Sequence, residues 1–145
     1  MNRFLRRALL AVFVLFVLLQ IVPYGHDHSN PPGRVEPTWD RPETRELAKR
    51  ACFDCHSNET LWPWYSHVAP VSWLVQHDVD EARASLNFSG WDRPQKDADE
   101  AAKMVRKGKM PLSYYLPMHP AARLSAQERD ALVAGLVATI GEEDD

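Results

Sequence analysis

Cysteine is scarce in this chain: 145 residues contain two, Cys52 and Cys55, three positions apart. Thiols so close together cannot staple a small secreted scaffold, so they need another use. An excess of positive charge is missing too. Lys and Arg number 17 against 20 Asp and Glu, a formal balance of −3, and Arg3, Arg6 and Arg7 are the only charges before Asp27. Setting those three aside leaves 14 basic against 20 acidic residues, or −6, for the remainder. No nucleic-acid partner is expected, because binding to phosphates needs a clustered positive field. Strand-like alternation is also absent, which leaves an all-α reading, and the length allows one domain.

What the sequence does have begins with a long apolar run. Ala8–Tyr24 reads ALLAVFVLFVLLQIVPY, without a formal charge and with Gln20 near its far end. As a helix it covers roughly 25 Å, slightly less than a hydrocarbon core of about 30 Å. Phe4 and Leu5 can extend it, Arg6 and Arg7 can snorkel, and Tyr24 suits an interface. The exit Ile21-Val22-Pro23-Tyr24-Gly25 lacks the small residues of a cleavage site. Residues 1–24 therefore read as an uncleaved signal anchor, a single transmembrane helix through a bacterial inner membrane. The positive-inside rule places everything after it in the periplasm.

Residues 25–39, GHDHSNPPGRVEPTW, read as a Pro-rich linker in which His26 and His28 are solvated. Residues 40–141 read as the folded domain and 142–145 as a solvated acidic tail. Asp40 and Glu43 suggest a capping box for a helix leading into Cys52. Trp62-Pro63-Trp64-Tyr65 suggests a wrapped loop. Pro70 can start a helix carrying Val71, Leu74, Val75, Val79, Ala82 and Leu86, with Gln76, Asp80, Glu81 and Arg83 opposite. A further helix is expected over Asp97–Lys107, closed by Gly108, and a last one begins at the capping box Ser125-x-x-Glu128.

Cys52-Phe53-Asp54-Cys55-His56 is C-x-x-C-H, the attachment pattern of one covalent haem c. Two thiols one helical turn apart can form thioethers with two vinyl groups on one porphyrin edge, and the next residue is the proximal iron ligand. A thioredoxin-like pair would need a βαβ context, and a zinc site would need a second pair of ligands. For the distal position Met110, in Gly108-Lys109-Met110-Pro111, is expected: a soft thioether raises the reduction potential relative to two histidines. Met118 and His119 are substitutes, with His67 behind them. Met104 lies on an apolar helix face and reads as core, while His77 reads as a surface residue.

The order of motifs, with C-x-x-C-H early, Met-Pro late and a capped final helix, resembles class I cytochrome c. More narrowly, Cys52–Thr60 followed by Trp62-Pro63-Trp64-Tyr65, Gly108-x-Met110-Pro111 and His119-Pro120 resembles a bacterial haem-binding domain family of membrane-anchored monohaem proteins. That resemblance implies a cytochrome c-like fold whose first and last helices cross behind the haem. Gly135 departs from it, because class I cytochromes commonly place an aromatic on the last helix at that crossing. Trp62, Trp64, Trp73 and Trp91 could surround the porphyrin, and each singly is expected in the core.

The function expected is single-electron transfer through Fe(III)/Fe(II) rather than enzymatic catalysis, with a redox protein as partner. Lys103, Arg106, Lys107 and Lys109 could steer an acidic partner or form a solvated helix face. Two other functions compete: a haem sensor with an open or displaceable sixth site, and a haem-free C-x-x-C thiol oxidoreductase.

Overall fold

The computed structural model describes Asn2–Glu142, and among these residues every regular element is helical. The α-helices are α1 (Arg3–Gln20), α2 (Pro42–Ala51), α3 (Phe53–His56), α4 (Val71–Ser85), α5 (Ala101–Arg106) and α6 (Ala126–Ile140). Short 3-10 turns lie at Trp64–His67 and Pro120–Ala122. Val35 and Gly90 form an isolated parallel bridge. The all-α expectation is met. The chain divides into two compact units, one made of the residues up to Ser29 with Trp62–Asp78, the other of Asn30–Leu61 with the chain from Val79 onward.

In the first unit, α1 buries none of its side chains. Its end is fixed by the amide of Gln20, which donates Nε2 to the Ala69 carbonyl at 3.1 Å and accepts the Ala69 N–H at 2.9 Å. The helix expected over 1–24 forms over a shorter span, Arg3–Gln20. The helix stops at Gln20, with Ile21 as its C-cap, and carries three arginines within its first five positions. Among the described residues no helix is long and apolar enough to cross a membrane. Gly25 has φ +86° and sits against Ser72 and Trp73 so closely that a side chain would collide with both. His28 bonds to the Ser66 carbonyl at 2.9 Å and faces Trp62, so it is not the solvated residue expected. Trp62–Tyr65 is no plain loop either: Trp64 starts the first 3-10 turn.

In the second unit α2 and α5 both pack on α6. The expected capping box at Asp40 does not form. Pro42 opens α2 at a position where its missing N–H costs nothing, and Asp40 bonds instead to Thr44 and, through its N–H, to Thr139. The capping box of α6 does form: Glu128 N–H donates to Ser125 Oγ at 3.2 Å and Ser125 N–H to Glu128 Oε2 at 2.8 Å. The core gathers Ala48, Phe53, Leu86, Phe88, Ala102, Val105, Leu132 and Leu136. Burying the larger aliphatic side chains among these contributes roughly 1.5–3 kcal/mol each.

The helix expected over Asp97–Lys107 is shorter, Ala101–Arg106. Its first residues instead fold the chain back toward α4, where Asp97 N–H reaches the Ser85 carbonyl at 3.1 Å. Residues 30–39 are pinned rather than free. Arg34 N–H donates to the Ser89 carbonyl, Trp91 N–H to the Val35 carbonyl, and Glu36 takes two bonds of 2.7 Å from Arg45. Within the acidic tail Glu142 pairs with Arg106, and Glu143, Asp144 and Asp145 lie outside the described residues.

Candidate haem-binding site

The C-x-x-C-H segment is one turn of helix following directly on α2. Cys52 ends α2, with its N–H on the Ala48 carbonyl at 2.7 Å, and also begins α3. Its carbonyl accepts from Cys55 N–H at 3.1 Å and His56 N–H at 2.8 Å, so positions 52, 55 and 56 share one helical face. Phe53, between the thiols, points into the core and stacks on Phe88 at 5.5 Å, with Trp39 beside both rings. The apolar anchor on one side of the turn leaves both cysteines half-buried on another, and neither is in a disulfide.

His56 is held by its ring and its backbone. Nδ1 lies 3.0 Å from the Leu86 carbonyl, and since a carbonyl can only accept, Nδ1 carries the proton and Nε2 presents a lone pair. The His56 carbonyl in turn accepts Phe88 N–H at 2.8 Å. Burial lowers the imidazole pKa from its ordinary 6.5, against the opposing hydrogen bonds to Leu86 and Ala82. The ring is thus neutral at pH 7, the form that binds a metal. Burial also pushes the Cys52 thiol up to about 12, with the neighbouring Cys55 adding to the rise. That is opposite to the lowered thiol of a C-x-x-C redox pair.

Behind His56 lies a polar network. Ser57 Oγ donates to the Phe53 carbonyl at 2.7 Å, Arg83 Nε donates to the Ser57 carbonyl at 2.8 Å, and Asn58 N–H reaches Ser89 Oγ at 3.0 Å. Asn87 bridges onward, giving Nδ2 to Asn58 Oδ1 at 2.9 Å and receiving Ser89 N–H on its own Oδ1 at 2.9 Å. Ser57, Asn58, Asn87 and Ser89 are buried, so these bonds satisfy groups that would otherwise be costly inside. Sequence reasoning missed this support. The Leu86 acceptor is a main-chain oxygen, which no residue type advertises. Arg83 sits among polar residues on α4 and reads as solvated, although the turn after the motif is where it is used.

The distal candidates separate. Gly108, at φ +65°, closes α5, and the N–H groups of Lys109 and Met110 both reach the Met104 carbonyl, at 3.0 and 3.2 Å. Met110 emerges half-buried against the core cluster that Cys52 also flanks. Met104 is half-buried on the same helix. Met118 is 57% exposed. His119 lies on the Tyr115 ring, centroids 3.7 Å apart, with Nδ1 on the Tyr115 carbonyl at 3.0 Å. His67 is exposed in the first unit, edge-on to His28 at 4.2 Å. His77 is exposed, as expected. Of the tryptophans, Trp91 packs with Phe88 beside the core, whereas Trp64 is 72% exposed and is not the core residue expected. Lys103 pairs with Glu100 and Arg106 with Glu142, so half of the basic cluster is already matched by carboxylates.

An adjacent thiol pair followed by a neutral histidine with a fixed tautomer is a donor set that fits haem. Cys52 and Cys55 would hold its edge and His56 Nε2 its iron. The protein is therefore of the haem-binding class. A family model described as a haem-binding domain matches residues 14–138, and the chain belongs to that family. No curated protein and no solved structure matches it.

Proposed function

We propose that this protein is a membrane-tethered, periplasmic, monohaem c-type cytochrome that carries single electrons. The observation that carries the reading is the commitment of His56 Nδ1 to the Leu86 carbonyl, one residue after a C-x-x-C pair on the same helical face. When bound, haem supplies the Fe(III)/Fe(II) couple. This chain's residues attach it, orient it and keep water from it. Cys52 and Cys55 attach the edge covalently, His56 is the proximal ligand and Met110 the distal one.

The α2–α6 crossing supports a cytochrome c-like arrangement of first and last helices, as do the placement of Met110 after α5 and its packing on the core. The raised Cys52 thiol speaks against a thiol oxidoreductase. Membrane attachment rests on α1, which buries none of its side chains among the described residues, together with the exposed Ile21–Tyr24 beyond it. The arginine end would stay cytoplasmic and the rest would be exported to where haem c is attached.

The test is production with the cytochrome c maturation machinery, followed by a haem stain on a denaturing gel, the mass of the product and a reductive titration. One stained band, a mass increase of one haem and a one-electron wave are expected. A protein without covalent haem, or one whose stain survives loss of both thiols, would sink the reading.

A further inference from the structure

We infer that the segment Trp64–Leu74 is a membrane-surface contact, seated in the headgroup region of the same bilayer that α1 enters, with Trp64 as its interfacial anchor. The inference rests on the tether proposed above and adds a second, sequence-distant contact to it.

Three observations lead here, all within the first unit. The end of α1 is joined to this segment by the paired bonds between Gln20 and the Ala69 backbone, so what lies around Ala69 lies at the mouth of the helix. The segment also lacks charge: Trp62–Val75 contains no Asp, Glu, Lys or Arg, in an otherwise acidic exported part. Finally, three of its large apolar side chains, Trp64, Val71 and Leu74, are exposed. Trp64 is 72% exposed, and Val71, Leu74, Ile21 and Tyr24 of the same unit are exposed with it.

An indole in that position is costly in water and favourable at a lipid headgroup, where its ring is shielded and its N–H stays wet. Surface without formal charge avoids the large penalty of desolvating ions on approaching lipid, and the amide clamp keeps the end of α1 and this surface together. The bilayer is the occupant favoured over a second protein because the patch continues directly from the exposed apolar side chains of α1.

Full-length protein labelled with 5-fluorotryptophan, in lipid nanodiscs and kept oxidised so that a nitroxide survives, provides the test. Trp64→Phe assigns the Trp64 fluorine resonance. A lipid carrying a nitroxide high on its acyl chain should broaden that resonance several-fold more than a soluble gadolinium chelate does, and Val71→Gln with Leu74→Gln should weaken the lipid effect. Trp64 open to the chelate in discs that retain the protein overturns this inference alone. Shielding from both probes indicates a second copy on the patch and overturns it as well. Loss of the protein from the discs after an alkaline wash removes the tether itself.

Discussion

Gly135 of α6 faces Thr44 of α2 with no room for a side chain: a Cβ at position 135 would lie 2.2 Å from Thr44 Oγ1 and 2.5 Å from its Cγ2. Both residues are buried at the crossing of the two helices. Glycine on α6 and threonine on α2 bring the two backbones together.

Gly135→Ala should therefore lower stability by about 1–3 kcal/mol, the usual cost of overpacking. Thr44→Ala removes the two closest atoms, so the double variant should recover part of that loss. Urea denaturation of the four proteins of the cycle checks this, and strict additivity would mean that the two residues do not share the crossing.

Tyr115 donates its hydroxyl to Asp54 Oδ2 at 2.6 Å, and Asp54 also accepts Leu61 N–H. Asp54 stands between the two thiols, so this bond ties the loop of Tyr115 and His119 to the attachment turn. Tyr115→Phe is expected to cost about 1–2 kcal/mol, as for a half-buried bond to a charged group. Denaturation with the haem content measured in parallel checks it, the content staying unchanged.

Met110→Ala should leave covalent attachment intact, because position 110 supplies neither thiol, while the reduction potential falls and ferrous protein binds carbon monoxide rapidly. The wild type should resist carbon monoxide. A wild type that binds it as fast as the variant would favour a ligand-sensing role over electron transfer.

Glu128 is held at about 2, below its ordinary 4.5, by the Ser125 backbone first and by the Arg50 guanidinium next. Its folded-state pKa is depressed, so its contribution is fully present above the ordinary value and is lost as pH falls from about 4.5 toward 2. Glu128→Gln should flatten the acid limb of the melting-temperature profile in that window and leave the slope above pH 6 unchanged. Circular-dichroism melts across the range check it.

Features that rest on neighbours close in the chain could be read before any fold was known. Cys52, Cys55 and His56 could be singled out because thioether attachment and iron ligation would need those residue types within one helical turn. The α6 capping box was legible because Ser125 and Glu128 bond to each other's backbone. The all-α class followed from apolar spacing of three and four residues. Tertiary structure decided what depends on distant partners. Leu86 enters the site through a carbonyl oxygen, Arg83 through the turn after the motif, and Gly135 through the bulk of Thr44 ninety-one positions earlier. It also decided where each aromatic goes: Trp91 beside the core and Trp64 in the open are the same residue type, separated only by what the fold brings against them. Burial is a property of neighbours gathered from elsewhere in the chain, so composition alone does not carry it.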